Sequence, residues 1–336
     1  MINLLEKHAK SFYWASFFLS KKKFKKCSSL YNFCRTLDDI ADENNNLKKK
    51  KENFLMNNLL EKHAKSFYWA SFFLSKSIFN KCSSLYNFCR TLDDIVDDDK
   101  NLETKKENFS KFKKDFINKD RNNQVVREMW SIIDSENISK KVVMDLFDGV
   151  QTDLKEKVKI NSKKELLIYS YRVAGTVGLM MSKILKVNNR EALKGAIDLG
   201  IAMQLTNIAR DICEDKGRSR QYVKHDFSSI KEIINDSQIF YDKSFHSISS
   251  IPLRSRFSVI VARRVYRKIG DYILKQKNIE NYNKAGKIYV PTFEKIIQTF
   301  LSFFDFIKLL FVKELNYDNH IIHSILKKEV NINERI

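Results

Sequence analysis

The sequence predicts an all-α protein, and three observations favour that fold class. Its 336 residues include only 8 glycines and 2 prolines, which are too few for a fold rich in tight turns. Several segments repeat apolar residues at the spacing of a helix face, for example at Val142, Leu146 and Val150. No segment alternates apolar and polar residues convincingly as a strand would. With 43% hydrophobic residues, the chain can bury a large core.

The first hundred residues carry one segment twice, at a fixed offset of 55 residues. The stretch SFYWASFFLS begins at Ser11 and again at Ser66, and each copy runs into the acidic stretch CRTLDDI. Two copies this similar indicate a tandem duplication, because a repeat fold normally stacks at least three units. We therefore expect an extra, duplicated N-terminal helical segment over 1–55, one helical domain over 56–315 and a C-terminal tail over 316–336.

Helical spacing continues through the second copy and the rest of the domain. Ser83 or Ser84 is the expected N-cap of the helix that ends in the second acidic stretch. Later helices are expected, in order, over NISKKVVMDLFDGVQTDL, KKELLIYSYRVAGTVGLMMSKIL, REALKGAIDLGIAMQLTNIARDICED, SSIKEIINDSQIFYDKSFHSISS and IPLRSRFSVIVARRVYRKIGDYILKQ. The polar stretch 118–124 is expected to be a loop.

The last expected helix, TFEKIIQTFLSFFDFIKLLF, comes closest to a membrane-spanning pattern. Asp305 and Lys308 interrupt it, so it is too polar to cross a bilayer. We expect a core helix here, and an interfacial helix that lies on a membrane surface is the alternative. The many phenylalanines are expected to lie mostly in the core.

The formal net charge is +20, which suits nucleic acid, an anionic membrane surface or an anionic substrate. A lysine-rich proteome would produce the same excess. The basic residues are scattered along the chain, so we expect no nucleic-acid partner. The five cysteines fit neither a zinc site nor a disulfide framework. Without a secretory signal pattern at the N-terminus, these features predict a cytoplasmic protein.

The first acidic motif of the domain lies at the end of the second copy. Asp93 and Asp97 are four residues apart, so they share one helix face, and Asp94 and Asp98 form an adjacent pair. Like charges at this spacing destabilise an isolated helix. Taken alone, such a cluster is more often a solvated helix end than a site.

A second acidic motif makes a solvated helix end a less favourable interpretation of the first motif. Gln204, Asn207, Asp211 and Asp215 form one polar stripe, while the other side of the same helix is apolar. A polar stripe on a buried helix is costly unless its groups are paired or bind an ion. Two facing acidic stripes would repel each other, and Mg²⁺ or Mn²⁺ between them would remove that cost. Such ions usually complete their shell with water and substrate phosphates.

Basic and aromatic residues accompany both acidic motifs. Tyr86 and Arg90 precede the first motif on the same helix face, and Arg218, Arg220 and Tyr222 follow the second. Arginine donors match the oxygens of a diphosphate, and a solvated surface position is the alternative for each arginine.

Two glycines fall inside a predicted helix, at Gly175 and Gly178, where glycine costs about 1 kcal/mol relative to alanine. We expect them to permit close helix packing, and room for a ligand is the alternative.

The motifs HAKSFYWAS, LYNFCRTLDDIVDD, YSYRVAGTVG, QLTNIARDICED and NYNKAGKIYV, in this order, resemble those of the squalene/phytoene synthase family of head-to-head prenyl transferases. The resemblance covers about 58–312 and is most like the bacterial-type phytoene synthases. One departure is SRQYVKHD after the second acidic motif, which lacks the proline that phytoene synthases usually have there. This departure leaves the length of the substrate open.

The resemblance implies an isoprenoid synthase fold, with a single helical domain around a central cavity. The implied reaction joins two geranylgeranyl diphosphates through a cyclopropyl diphosphate to phytoene, in carotenoid biosynthesis. It implies that Asp93, Asp97, Asp211 and Asp215 are catalytic and that, with Asn207, they bind Mg²⁺ or Mn²⁺. Tyr169 would be catalytic and face the cavity. The implied substrate-binding residues are Lys65, Ser66, Tyr86, Arg90, Val173, Gly178, Gln204, Arg220, Tyr222 and Tyr282.

Two other functions remain open. The chain resembles, less closely, squalene and presqualene diphosphate synthases that use farnesyl diphosphate, and squalene release would require NADPH. An inactive helical scaffold at a membrane surface is the alternative of another class, although it has no need of two acidic motifs. If the product is phytoene, we expect that the enzyme uses no NADPH. We also expect a monomer, and peripheral contact with a membrane because substrate and product are oily.

Overall fold

The computed structural model describes residues 64–312, 326 and 329–336. These residues belong to one compact unit and are predominantly helical, as the sequence predicts. The extra copy over 1–55, with Asp38 and Asp42, lies outside the described residues, so the domain boundaries remain predictions. The helices of the described part are α1 Lys65–Ser71, α2 Lys76–Asp97, α3 Leu102–Ile117, α4 Gln124–Glu136, α5 Lys140–Gln151, α6 Lys163–Ser170, α7 Thr176–Ile184, α8 Arg190–Gly217, α9 Phe227–Ser244, α10 Leu253–Leu274, α11 Ile279–Ala285 and α12 Thr292–Leu310.

Helix α8 is the centre of the fold, and it contacts α6, α7, α9 and α10. Asn189 caps its first turn by accepting a hydrogen bond from the backbone N–H of Ala192 at 3.0 Å. Ile201, Leu205 and Ile208 are almost fully buried at helical spacing. The helix is therefore held by its apolar side, and its polar stripe is left to face the site.

Helix α2 begins earlier than the sequence analysis expects. Its N-cap is Ser75, and Ser83 and Ser84 lie inside the helix. Ile78 and Cys82 extend the apolar face toward the N-terminus and pack against the core, so the helix continues through the two serines. The Ser84 hydroxyl donates to Glu128 on α4 at 2.9 Å. The predicted N-cap was therefore wrong.

A π-helical turn, Tyr171–Gly175, separates α6 from α7, where the sequence predicts one uninterrupted helix. Beyond this turn α7 packs very closely on α8. A Cβ atom on Gly178 would lie 2.3 Å from the carbonyl oxygen of Ala196. This distance is far below a normal contact, so the expectation that this glycine permits close helix packing is confirmed.

Two short strands were not expected from the sequence. Strand β1, Val158–Lys159, pairs in parallel with β2, Arg220–Gln221. The pairing ties the segment after α8 to the segment after α5. It therefore fixes the position of Arg220 beside the end of α2.

The phenylalanines divide into two groups. Phe88, Phe112, Phe116 and Phe147 pack together in the core formed by α2, α3 and α5, with ring centroids 5.3–6.2 Å apart. Those of α12 are largely exposed. The core location predicted for the phenylalanines is therefore only partly right, and α12 is not the core helix expected by default.

The last residues of the chain pack against the domain. Arg335 donates to both carboxylate oxygens of buried Asp145 on α5, at 2.9 and 3.0 Å. The same carboxylate accepts a hydrogen bond from the hydroxyl of Tyr171 in the π turn at 2.9 Å. The C-terminus thus helps to anchor the π turn. Among the described helices, none has both the length and the apolarity to cross a bilayer.

Candidate active site

An apolar cavity of 290 Å³ lies between α1, α2, the π turn, α7, α8 and α10. Four residues predicted to bind substrate line it: Tyr86, Val173, Gly178 and Gln204. The predicted metal ligand Asn207 also lines it, so the cavity meets the polar stripe of α8 there. Most other lining side chains are apolar, including Phe67, Leu74, Val177, Met181, Leu199 and Met203. Such a wall suits a hydrocarbon chain and excludes water.

The acidic end of α2 lies in a cleft beside this cavity. Asp93 is open to the cleft, but the surrounding protein removes it from bulk water, and Asp97 lies one turn away. Desolvation first, and then the charge of Asp97, raise the pKa of Asp93 to about 7. The first motif therefore holds more negative charge than the nearby protein cations neutralise.

Asp97 connects α2 to the segment after α8. Its two carboxylate oxygens accept hydrogen bonds from Arg218 and Arg220, each at 2.8 Å. The side chain of Arg220 is 10% exposed. This pair of arginines brings the first acidic motif to the end of the helix that carries the second motif.

Arg90 is also paired, because its guanidinium lies 2.6 Å from Asp94 one turn along the helix. Asp98, expected to form a second acidic pair with Asp94, is the C-cap of α2. Its carboxylate pairs with Lys100 at 2.7 Å. The face of Asp93 and Asp97 is therefore the one that reaches the cleft and the end of α8.

In the second acidic motif, one carboxylate is paired with basic side chains and the other has no close basic partner among the described residues. Asp211 accepts two hydrogen bonds from Arg210, at 2.8 and 2.6 Å, and Lys287 lies 3.6 Å away. Asp215 has no such close partner among the described residues. Burial first, and then Asp211, raise the pKa of Asp215 to about 7.

The polar stripe of α8 continues toward the cavity through Asn207. Its amide oxygen accepts a hydrogen bond from the hydroxyl of Tyr266 at 3.1 Å. Its amide nitrogen is 3.5 Å from the side-chain oxygen of Gln204. These contacts orient the Asn207 amide between the acidic end of the stripe and the apolar cavity.

A third carboxylate, Asp153, lies between the two motifs and was missed in the sequence. The hydroxyl of Tyr169 donates to one of its oxygens at 2.8 Å, and that of Tyr222 donates to the other at 2.7 Å. The two rings stack with centroids 4.8 Å apart. Burial raises the pKa of Asp153, and its charge in turn contributes to the raised pKa values of Asp93 and Asp215.

Asp153 thus joins Tyr169 and Tyr222, which the sequence analysis selected separately. Its only sequence signal is weak. It is an acidic residue two positions after the end of α5, in the stretch DGVQTDL. Such a residue is normally read as part of a solvated turn. The tertiary structure alone shows that the turn is folded against α6 and β2.

Three predicted substrate-binding residues stand apart from this group. Tyr282 is buried under α8, and its hydroxyl contacts the backbone carbonyl oxygens of Ala209 and Arg210, each at 2.8 Å. Burial first, and then nearby groups that include Asp211 and Asp215, raise the pKa of Tyr282, which therefore lies near the second acidic motif without lining the cavity. Ser66 is half-buried on α1 and is not among the residues that line the cavity. The side chain of Lys65 lies outside the described residues.

The oxygen atoms of the two acidic motifs are of the kind that binds divalent cations, although the carboxylates do not converge on one point. No group of three metal-binding side chains lies within ligand distance in the part of the chain that the structure describes. The protein's own cations hold Asp97 and Asp211, while desolvation and then neighbouring carboxylates keep the pKa values of Asp93 and Asp215 raised. Carboxylate and amide oxygens are the ligands that Mg²⁺ and Mn²⁺ prefer. The residues therefore fit such ions.

Comparisons with known proteins identify the family of the chain. A family model described as squalene/phytoene synthase matches residues 5–58 and 60–227, so it recognises both copies of the doubled segment. A 15-cis-phytoene synthase of Pantoea ananas is 27% identical over 252 residues, which cover 64% of this chain and 81% of that protein. A 15-cis-phytoene synthase of Enterobacter agglomerans is also 27% identical, over 63% of this chain and 82% of that protein.

The fold is similar to that of solved isoprenoid synthases. A dehydrosqualene synthase in complex with ligand superposes with a TM-score of 0.60. The two sequences are 24% identical, and the match covers 76% of this chain and 96% of the other. A squalene synthase from Alicyclobacillus acidocaldarius superposes with a TM-score of 0.56 at 18% identity. The expected isoprenoid synthase fold is confirmed by these likenesses.

Proposed function

The chain belongs to the squalene/phytoene synthase family of prenyl-transferring enzymes, and we propose that it condenses two geranylgeranyl diphosphates head to head into phytoene. Two C–O bonds break, two diphosphates and two protons leave, and a cyclopropyl diphosphate is the intermediate. Curated relatives named phytoene synthase support this choice of product. The route is that of carotenoid biosynthesis.

One observation supports the proposal most strongly. Asp97 of the first acidic motif is bonded to Arg218 and Arg220, which directly follow the second motif. The two motifs therefore lie at one end of an apolar cavity. A molecule with an anionic head and a long hydrocarbon tail matches both parts of this site.

We assign Asp93, Asp97, Asn207, Asp211 and Asp215 as the residues that would hold Mg²⁺ or Mn²⁺. When bound, the cations would supply Lewis-acid charge to the diphosphate oxygens and so weaken the bond to the allylic carbon. The raised pKa values of Asp93 and Asp215 support this assignment, because a divalent cation would offset the desolvation and mutual repulsion that raise them.

The chain's own cations would bind and retain the diphosphates. Arg90, Arg218 and Arg220 each already engage a carboxylate at the mouth of the cleft. A diphosphate could accept the remaining donors of these guanidinium groups, since arginine binds such oxygens in a bidentate manner. Lys287, two residues after the end of α11, lies close enough to Asp211 to contribute.

We place Tyr169 and Tyr222 at the diphosphate end of the site, because both are buried against Asp153 and neither lines the apolar cavity. Asp153 accepts a hydrogen bond from each hydroxyl, and the hydroxyl oxygens of Tyr169 and Tyr222 are 3.0 Å apart, so the two phenols are oriented together. The apolar walls at Val173, Val177 and Met181 exclude water from the cavity. Exclusion matters because water would capture an allylic cation.

We further propose a monomer in the cytoplasm with peripheral contact to a membrane and without a nucleic-acid partner. Geranylgeranyl chains and phytoene partition into lipid, which supports the membrane contact. The phytoene reaction involves no net reduction, so no NADPH is required.

Product analysis tests the proposal. Purified protein is incubated with Mg²⁺ and either farnesyl or geranylgeranyl diphosphate, and the hydrocarbons are identified by mass spectrometry. We expect phytoene from geranylgeranyl diphosphate. A matched Asp215→Asn protein should give none, whereas an Asp148→Asn protein, changed at an exposed position on α5, should behave as the wild type.

The alternative is a squalene or presqualene diphosphate synthase that uses farnesyl diphosphate. It is favoured by the missing proline in SRQYVKHD. Exclusive formation of squalene-length products, with or without added NADPH, would establish it. Failure to release any diphosphate in the presence of Mg²⁺ would instead favour the inactive scaffold.

A further inference from the structure

Helix α12 carries an apolar surface that no described residue covers. Eight large apolar side chains are exposed on or directly after this helix: Phe293, Ile296, Phe300, Phe303, Phe304, Ile307, Leu310 and Phe311. Their three- and four-residue spacing places them on one side of the helix. Contiguous apolar surfaces of this kind are rare on proteins that have no partner there.

The other side of α12 is firmly packed. Gln298, Ser302 and Leu309 are buried, and the helix contacts α10 along its length. The hydroxyl of Thr299 accepts a hydrogen bond from the indole N–H of Trp69 on α1 at 2.9 Å. The orientation of α12 is thus set by these contacts, so its apolar side is presented outward as a fixed surface.

A cationic cavity of 510 Å³ opens beside α12, between α9, α10 and α12. Four basic side chains line it, against three carboxylates. The basic residues are Arg263, Arg264, Arg267 and Lys268, and the acidic ones are Asp242, Asp271 and Asp305. The lining therefore has one cation more than it has carboxylates.

Each basic side chain of this cavity has a carboxylate within 4 Å, namely Asp242 for Arg263 and Arg267, Asp305 for Arg264, and Asp271 for Lys268. Arg263 is 5% exposed and bonds mainly to a backbone carbonyl oxygen, that of Tyr241, at 2.8 and 3.1 Å. Burial first, and then repulsion from Arg267, lower the pKa of Arg263 to about 10. The Nε atom of Arg264 is buried without a well-aligned hydrogen-bond acceptor, although Asp305 lies 3.0 Å away. Arg267 and Lys268 are the most exposed of the four basic side chains, so an anion entering the cavity would meet them first.

The cavity and the apolar side of α12 adjoin each other. Leu301 lines the cavity, and Phe304 follows it by three residues, so the two are neighbours on the helix. The ring of Phe304 also contacts the rings of Phe300 and Phe303, with centroids 5.7 and 6.2 Å away. The cationic cavity thus borders an apolar surface.

We propose that α12 and the adjoining cationic cavity form one membrane-binding surface, in which the phenylalanines enter the bilayer interface and the arginines hold the phosphate of an anionic lipid. An interfacial helix buries its apolar side at the level of the headgroups, where phosphates would meet the cavity. The inference rests on the proposed function in one respect only, namely that the enzyme's substrates and product are membrane lipids.

The location of α12 suits the transfer of an oily product. Phe67 and Ala70 of α1, and Leu74 shortly after it, line the catalytic cavity, and the indole of Trp69 on α1 is hydrogen-bonded to α12. One short helix therefore separates the cavity from the proposed membrane surface. A hydrocarbon leaving the cavity past α1 would enter lipid rather than water.

Vesicle flotation tests the surface without any catalysis. The full-length protein is mixed with vesicles of phosphatidylcholine alone, or with vesicles that also contain phosphatidylglycerol, and the floated fraction is measured. We expect binding to the anionic vesicles and markedly weaker binding to the neutral ones. Added inorganic phosphate should not displace the protein, which distinguishes a lipid headgroup from a free phosphate.

Two variants separate the two parts of the surface. Phe300→Ser with Phe304→Ser should weaken binding to both kinds of vesicle, by about tenfold for each ring removed. Arg267→Gln with Lys268→Gln should weaken binding to anionic vesicles alone, by about fivefold for each charge. Ile117→Ser, at an exposed apolar position on α3, is the matched control and should bind as the wild type does.

Three results would overturn the inference. They are failure of the wild-type protein to float with anionic vesicles, unchanged binding of the double-serine variant, and a wild-type dimer that the serine substitutions convert to monomer in sedimentation. The last would make this surface an interface between two copies of the chain. Diphosphate release in detergent, with circular dichroism, shows whether each variant is folded, and a failure of catalysis there would count against the proposed function and not against the surface.

Discussion

Asp153 is the individual residue whose importance the sequence least reveals. Its carboxylate accepts hydrogen bonds from the hydroxyls of Tyr169 and Tyr222 and lies close enough to Asp93 and Asp215 to contribute to their raised pKa values. No spacing rule connects a residue after α5 with residues on α6 and after β2. The connection exists only because β1 and β2 pair.

Replacing Asp153 with Asn should lower kcat by about 100-fold, with a smaller effect on KM. The substitution keeps the size of the side chain but removes the charge and one of the two acceptors, so one tyrosine hydroxyl loses its orientation. Steady-state diphosphate release in the presence of Mg²⁺ measures the effect. Asp148→Asn on the exposed side of α5 is the control, and a kcat within twofold of wild type for Asp153→Asn would refute the assigned role.

The raised pKa values of Asp93 and Asp215 predict a pH-dependent response to Mg²⁺. Both pKa values rise from 3.8 to about 7 on folding, so the folded state retains protons that the unfolded state has lost. Without metal, these two groups therefore reduce stability as the pH rises from about 4 to about 7. Because Mg²⁺ binds the deprotonated carboxylates, it should raise Tm more at about pH 8 than at about pH 6.

The measurement is thermal unfolding with MgCl₂ against NaCl at matched ionic strength. Asp93→Asn with Asp215→Asn should flatten both the pH dependence and the response to Mg²⁺. Asp94→Asn, at an exposed carboxylate that pairs with Arg90, should leave them in place. Equal Tm shifts at the two pH values would contradict a metal site built on Asp93 and Asp215.

Among the secondary-structure elements, the crossing of the π turn on α8 is the most tightly constrained contact. A Cβ atom on Gly200 would lie 2.2 Å from the carbonyl oxygen of Ala174. Because that obstacle is backbone, it cannot move aside without shifting the π turn. The wall of the cavity at Val173 and Val177 depends on this close approach.

Gly200→Ala should destabilise the protein by about 1–3 kcal/mol, the usual range for overpacking a core. Gly217→Ala is a matched control on the same helix, because no atom lies within 4 Å of the added methyl group. The control should be neutral or slightly stabilising, since alanine is the better helix former. Urea unfolding compares the two, and equal midpoints would show that α8 and the π turn can separate at little cost.

Helix ends and orientations illustrate where pattern reasoning is limited. The apolar periodicity of α2 correctly predicts a helix, but its start at Lys76 depends on packing of Ile78 and Cys82 that the serine signal conceals. For α12, composition favours a core helix. Its exposed side appears only when α10 occupies the other side and leaves the phenylalanines without a partner.

For the whole chain, the doubled segment remains the main prediction to test. In the described part, the second copy supplies Asp97 to Arg218 and Arg220, which supports the second copy as the functional one. Asp93→Ala with Asp97→Ala should abolish diphosphate release, whereas Asp38→Ala with Asp42→Ala should leave it unchanged. The reverse outcome would mean that the first copy occupies the fold.

Local pattern was sufficient for the helical class, the family and the identity of the two acidic motifs, because helix periodicity and motif spacing depend on residues close together in the chain. The family resemblance also suggested Tyr169 and Tyr222 as site residues, which stay predictions. Their shared partner Asp153, the burial of Tyr282 beneath α8, the π turn and the exposed side of α12 were decided by tertiary structure. Each depends on which segments, distant in sequence, pack together. Burial and charge interactions arise at those contacts and not between neighbours in the sequence.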